Sequence, residues 1–217
     1  MRTYDLNPEQ AKQAESSRIT ETGKYVGAFT SAYGTESTKG TEGIEFAFKT
    51  DDGRTADFLT LWTYNKDGKE LFGLKVLNAL MTCLRAKRIV PSAGTIEKWE
   101  DGQRVRVAAQ VFPDLTNKRI GLLLQREEYR KNDGSVGSKF NIVGAFDAET
   151  ELTASEILVK ASSPEKLAGM VASLRDKTLP AGAAPSGYTA ASSGGSGDFD
   201  DDIPFAPHMR GRAGLVI

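Results

Sequence analysis

Apolar and polar positions divide this chain into three zones. Residues 1–21 are polar, with Pro8 and the run EQAKQAESSR, and read as a loose arm or a short surface helix. Residues 22–179 carry clear hydrophobic periodicity. GKYVGAFTSAY (23–33) sets Tyr25, Phe29 and Tyr33 against Val26, Ala28 and Ala32. GIEFAFKT (43–50) puts Ile44, Phe46 and Phe48 on one face, and the DDG at 51–53 reads as a hairpin turn. RTADFLTLWTYN (54–65) splits into Leu59 and Leu61 on one side and Phe58, Trp62 and Tyr64 on the other. The period then changes. Leu71, Leu74, Leu77, Met81 and Leu84 recur every three or four residues, which predicts an amphipathic helix within 69–86. Residues 91–102 read as a Pro/Gly loop. Strands resume at 104–112, 119–130 and 140–146, with 131–139 as a turn. Thr153 and Glu156 have capping-box spacing, and Ser163-Pro164-Glu165 opens a last helix carrying Leu167, Met170, Val171 and Leu174.

Residues 180–197 form the next zone. From 181 to 197 the segment holds 14 Gly, Ala or Ser among 17 residues and no charge, the composition of a flexible linker. Residues 198–217 follow as an acidic tail, and linker and tail together are expected to be disordered. Three strands, a helix and a closing set of strands fit a mainly β fold with flanking helices. The specific expectation is an OB-fold-like barrel of five or six strands, with the helix between strands three and four. A mixed sheet covered by a helix fits the same periodicity.

Composition narrows the chemistry. Hydrophobic residues make up 39% of the 217-residue chain, and 28 bases nearly balance 29 acids. No apolar run approaches the ~18 residues of a membrane span. The start, MRTYDLNPEQ, has no apolar core and does not read as a signal peptide. Cys83 is the one cysteine and His208 the one histidine, which excludes an internal disulfide and most histidine-dependent catalysis. A cytoplasmic setting, no cofactor, no metal site and no enzymatic activity are the expectations. Asp51, Asp52 and Asp57 offer a remote metal-dependent nuclease reading, but Asp51-Asp52-Gly53 is better explained as a turn. Lys39-Gly40-Thr41 is not a phosphate loop, because a strand and not a helix follows it.

Several strands carry bulky residues on both faces, so the second face needs a cover: a helix, another subunit or a ligand. Exposed aromatics suit unpaired bases, because every base offers a π-face. Tyr25, Tyr33, Trp62 and Tyr64 are the candidate stacking residues, and Lys24, Lys39, Lys49, Arg54, Arg104 and Arg106 the candidate phosphate contacts. Trp62 and Lys49 rank first, because they lie on the second and third strands. Ordinary core aromatics under an ordinary charged surface explain the same pattern.

The tail is the most specific signal. Asp198-Phe199-Asp200-Asp201-Asp202-Ile203-Pro204-Phe205 places two bulky apolar residues after an acidic knot, as a docking peptide does. This stretch resembles the C-terminal tip of bacterial single-stranded DNA-binding proteins, which recruits replication, recombination and repair proteins. The body is similar to phage-encoded single-stranded DNA-binding proteins over roughly residues 18–160. Gly23-Lys24-Tyr25, GTEGIEFAFKTDDG, and LQREEYRKNDGS through FNIVGAFDAETELTASEIL carry that likeness. The resemblance implies an OB-type fold, single-stranded DNA as ligand without strong sequence preference, and partner proteins held by the tail in a bacterial host cell. One departure stands out. In the bacterial family the Phe is terminal and its carboxylate takes part in recognition, whereas Ala206 to Ile217 follow Phe205 here. A protein-interaction adaptor and a recombination annealing protein are the alternative functions, and assembly into a homo-oligomer stays open.

Overall fold

The structure, a computed structural model, describes residues 18–100, 103–131 and 133–179, with the backbone alone at Trp99, Glu100 and Arg104. The segment upstream of Arg18, the linker and the acidic tail lie outside the described residues. The elements run β1 (Gly23–Glu36), β2 (Glu42–Thr50), β3 (Thr55–Tyr64), α1 (Phe72–Cys83), β4 (Ser92–Glu100), β5 (Gln103–Val111), β6 (Arg119–Arg130), β7 (Val136–Phe146), α2 (Ala154–Leu158) and α3 (Lys166–Ser173). The protein is mainly β with few helices, as its alternating pattern predicts.

All pairings between these strands are antiparallel, and the order β3-β2-β1 continues in two directions from β1. The N-terminal half of β1 pairs with β6, from Gly23 opposite Leu124 to Ala28 opposite Arg119, and β6 pairs with β7. The C-terminal half meets the β4–β5 hairpin at Tyr33 opposite Val111, and the Phe112 amide donates to the Ala32 carbonyl at 2.9 Å. Strands β7 and β3 run beside one another without a hydrogen-bonded ladder, so the sheet is open.

The inner face of the sheet holds the main core. Phe29 stacks on Phe46 with ring centroids 4.5 Å apart and meets Phe48 edge-on at 5.7 Å. Leu59, Leu61, Ile120, Leu122 and Leu124 close around them, and α1 covers the cluster with Val76, Leu77, Leu80 and Cys83. These helix residues fall at i, i+1, i+4 and i+7, one apolar stripe. Gly27 lets β1 cross β2 closely, since a Cβ there would stand 2.1 Å from the Lys49 carbonyl oxygen. A smaller cluster lies behind β6 and β7, where Leu123 and Phe146 pack on Leu167 of α3, with Val26 and Met170 at its margin. That helix is the cover for the second face of β6 and β7. Over β2 and β3 no described helix does the same.

Three expectations need correction. Residues 91–102 are not a loop: Ser92–Glu100 forms β4, paired with β5 from Ser92 opposite Val111 to Glu100 opposite Gln103. The Gly and Pro content hid a strand whose stability comes from its hairpin partner. The turn expected over 131–139 is shorter, because β7 starts at Val136. Third, Tyr25, Phe29 and Tyr33 do not share one face. The register moves from Phe29 opposite Phe48 to Ser31 opposite Ala47, so Thr30 is an extra residue on β1 and the side-chain alternation flips there. Tyr25 and Phe29 enter the core and Tyr33 turns outward.

The capping box at Thr153 and Glu156 forms as its spacing predicts, and does more than cap. Buried Glu156 accepts from the Thr153 amide at 2.8 Å and hydroxyl at 2.7 Å, and from the Glu165 and Lys166 amides at 2.7 and 2.9 Å. It thereby ties α2 to the start of α3. Burial pushes the Glu156 carboxyl up, but the Thr153 hydroxyl and the three amides outweigh this and hold it near 2. Its contribution is therefore complete above the ordinary value of 4.5 and is lost as pH falls toward 2. Glu156→Gln turns an amide N–H toward N–H donors, and should cost about 1–3 kcal/mol at neutral pH in urea unfolding. The gap between variant and parent should shrink as pH falls below that ordinary carboxyl value. A gap that does not change with pH would contradict this role.

Candidate nucleic-acid interface

The outer face of β1, β2 and β3 is shaped by strand irregularities. Between the pairs Phe48–Ala56 and Phe46–Leu59, strand β3 has one residue too many, so Asp57 and Phe58 together oppose Ala47. Both side chains then point outward. Phe58 takes φ 61° and is 72% exposed. A bulky residue in the left-handed region costs on the order of 1–3 kcal/mol, a strain that concentrates at functional sites. Further along, Thr63 is the extra residue between the pairs Gly43–Trp62 and Glu42–Tyr64. Trp62 stays outward, while Tyr64 moves to the parity of Ile44 and is half-buried.

Trp62 sits where the backbone makes room for it. A Cβ on the opposed Gly43 would stand 2.9 Å from the indole Cε3, so a glycine there is what lets the ring lie over β2. Gly73 lets α1 press on the strand, because a Cβ there would stand 2.2 Å from the Trp62 carbonyl oxygen. The indole remains 38% exposed, and Phe72, the first residue of α1, is 54% exposed. Three large exposed aromatics thus occur on β3 and at the start of the following helix.

A groove of about 270 Å³ crosses the same face, with Tyr33, Glu45, Ala47, Asp57 and Phe58 among its walls and Arg18 and Glu97 at its margins. The Tyr33 phenol donates to Oε1 of Glu45. Burial, then Glu45, push the Tyr33 pKa far above its ordinary value, so it stays a protonated donor. The Lys98 ammonium from β4 lies 5.4 Å from the centre of the Tyr33 ring. The β4–β5 hairpin therefore supplies one wall of the groove.

The structure brings some of the expected residues together and separates others. Tyr33, Lys49 and Trp62 belong to the outer face, but Tyr33 is 8% exposed there, with Lys98 over its ring, so it is not open to stacking as expected. Lys49 is exposed, on the same side of β2 as Glu45 and Ala47, and has no side-chain partner among the described residues. Tyr25 is in the core, its hydroxyl donating to the Glu21 carbonyl at 2.7 Å, so its ring is not open to stacking as expected. Arg54 stands 5.2 Å from the centre of that ring and grips Asp52 with two bonds of 2.9 and 2.7 Å. Lys24 pairs with Glu151 at 2.6 Å and lies above Phe146, on the β6–β7 side. Lys39 is exposed in the tight β1–β2 turn, and Arg106 faces Glu97 at 3.8 Å across the hairpin. Arg104 is placed on β5 by its backbone. The exposed pairs hold their cations only weakly, little enough for a phosphate to displace the carboxylate.

Phe58, Asp57, Phe72 and Lys98 were not among the expected site residues. Phe58 carried a signal as one of three unexplained aromatics on its strand. Asp57 was hidden by the bulge, and Lys98 by the glycine and proline that disguised β4. Among the described residues no group of three or more His, Cys, Asp or Glu could hold a metal. Asp51 binds Arg119 at 2.7 Å, Asp52 binds Arg54, and Asp57 faces the groove, so these three carboxylates do not converge. No helix among the described residues is long and apolar enough to cross a membrane. No protein-family model matches the chain, and no curated protein matches it.

Cys83, the last residue of α1, faces the core, where burial, then Asp147, push its thiol up to about 12. A thiol reagent at neutral pH should therefore label the native protein slowly and the urea-unfolded protein completely. Rapid labelling of the native protein would show that α1 does not seal this side of the core.

Proposed function

We propose that this protein binds single-stranded DNA with little sequence preference and performs no catalysis itself. In this reading the body is a partly open, OB-fold-like barrel. The order of β3, β2, β1, β6 and β7, with β7 returning beside β3, supports it. The β4–β5 hairpin is then an addition to the five-stranded plan. The observation that carries the function is the pair Phe58 and Trp62, exposed on β3 over a part of the sheet that no described helix covers.

Bases stack on Trp62 and Phe58 along β3, and Tyr33 closes the inner end of the path. Phosphates meet Lys49 on β2, Lys39 at the β1–β2 turn, and Arg104 and Arg106 on the hairpin. Lys24, Arg54 and Tyr64 serve at the margins or structurally, and Tyr25 supports the fold from the core. The tail from Asp198 to Phe205, by its likeness to the bacterial docking tip, recruits replication and recombination proteins to the coated strand. A phage origin and the cytoplasm of a bacterial host fit this role.

Substituting Trp62→Ala or Phe58→Ala should each weaken binding of a mixed-sequence single strand by about 1–3 kcal/mol, roughly 5- to 150-fold, with the thermal unfolding transition retained. Fluorescence anisotropy of an end-labelled strand measures the loss. Unchanged affinity in both variants would move the site off β3. An adaptor would show no binding in parent or variant, and capture of proteins through the tail alone.

A further inference from the structure

We propose that the groove between β1, β2 and β3 takes one unpaired base at a time and favours bases with an exocyclic amino group over thymine. The inference rests on the reading of this face as the single-strand interface, and names which part of the strand enters the groove and which bases it prefers.

The charges inside the groove oppose a phosphate. Glu45 and Asp57 line it against Arg18, while Glu97 at its margin is already paired with Arg106. A polyanion threaded backbone-first would bring its charge against two carboxylates, whereas a base brings none. Cations stand instead at the rim. Lys49 lies one step beyond Ala47 on the same side of β2, and Lys98 lies over Tyr33. The backbone therefore follows the rim and the base turns inward.

The bulge on β3 sets what the base meets. It points Asp57 and Phe58 into the groove side by side, an aromatic face next to a carboxylate. The ring offers stacking, which every base accepts. The carboxylate offers only acceptors. Asp57 makes no ion pair or side-chain hydrogen bond among the described residues, and Glu45 is fixed by Tyr33 through Oε1, with no described partner on Oε2. Cytosine presents an amino group at N4 and adenine one at N6, both donors to a carboxylate, whereas thymine presents O4 and a methyl group. Guanine has O6 at that position but can turn its N1–H and N2 amino group, two donors, toward a carboxylate. Thymine has no amino group: its single N3–H is flanked by O2 and O4, and a carbonyl facing a carboxylate is repelled.

The test compares dC and dT homopolymers of about 30 nucleotides, a length that spans several nucleotides to either side of the groove. Anisotropy is read for both strands at one salt concentration and one pH, about 8. The dC strand should bind about 5-fold tighter or more, the lower end of what one good amino–carboxylate pairing discriminates. Asp57→Asn and Glu45→Gln each supply an amide donor that a thymine carbonyl can use. The double variant should bring the dC to dT ratio toward one, mainly by improved dT binding. Equal or tighter binding of dT by the parent protein overturns the selectivity and leaves single-strand binding standing. Binding of neither strand overturns the single-strand reading, and the selectivity with it. The parent ratio decides the question even if the double variant does not fold.

Discussion

The packing of Phe29 against Phe46 and Phe48 fixes which side of the sheet is inside, and the outer face follows from it. These rings are the largest fully buried side chains of β1 and β2, and Leu59 and Leu61 of β3 close against them. A strand has only two faces, so anchoring one face determines the other. With Phe46 and Phe48 inward, Glu45, Ala47 and Lys49 must be outward. The bulges at Thr30, at Asp57–Phe58 and at Thr63 then adjust the pattern locally. Each adds one residue, shifts the side-chain parity of the strand beyond it and leaves the aromatic core undisturbed. The protein thereby exposes Phe58 and Trp62 without opening its interior.

Much of the fold is legible in the sequence because its strongest signals are long and regular. The alternation in β2 and the helical period of α1 match the structure, and the Thr153–Glu156 spacing forms the cap that its residue types predict. What could not be read has one cause in common. Side-chain parity along a strand depends on pairing with a distant partner, and a bulge leaves no mark in local periodicity. Tyr25 and Tyr33 look equivalent at spacing i, i+8, yet Thr30 sends the first into the core and the second outward. In the same way Tyr64 departs from Trp62. Strand β4 was obscured because Pro91 and Gly94 carry a loop signature, while pairing along β5 makes the strand. At the site, Trp62 and Lys49 stand on the outer face as their strand positions suggested, whereas the paired states of Lys24 and Arg106 depend on Glu151, far away in sequence, and on Glu97 in another strand.

Electrostatics sets the kind of ligand this face can serve. The chain is near neutral, and many of its surface cations are already matched to carboxylates, as in Arg119 with Asp51 and Arg126 with Asp176. A surface of this kind does not gather nucleic acid by bulk charge. Its contribution comes from apolar ring area, with a few cations placed beside it. Duplex DNA, which buries its base faces in the stack, offers such a surface little, and an unpaired strand offers the rings what they can hold. Binding through rings also tolerates sequence variation, which suits the proposed single-strand role.

The most direct measurement is an anisotropy titration of a mixed-sequence single strand of about 30 nucleotides, and of its duplex, across a range of salt concentrations. The account predicts that the single strand binds more tightly than the duplex. It also predicts a modest salt dependence, a slope of about −3 to −3.5 in log affinity against log salt, since the four cations of the path, with Lys98 at the groove rim, contribute about 0.7 counterion each. No binding at low salt, or duplex bound as tightly as the single strand, would contradict it.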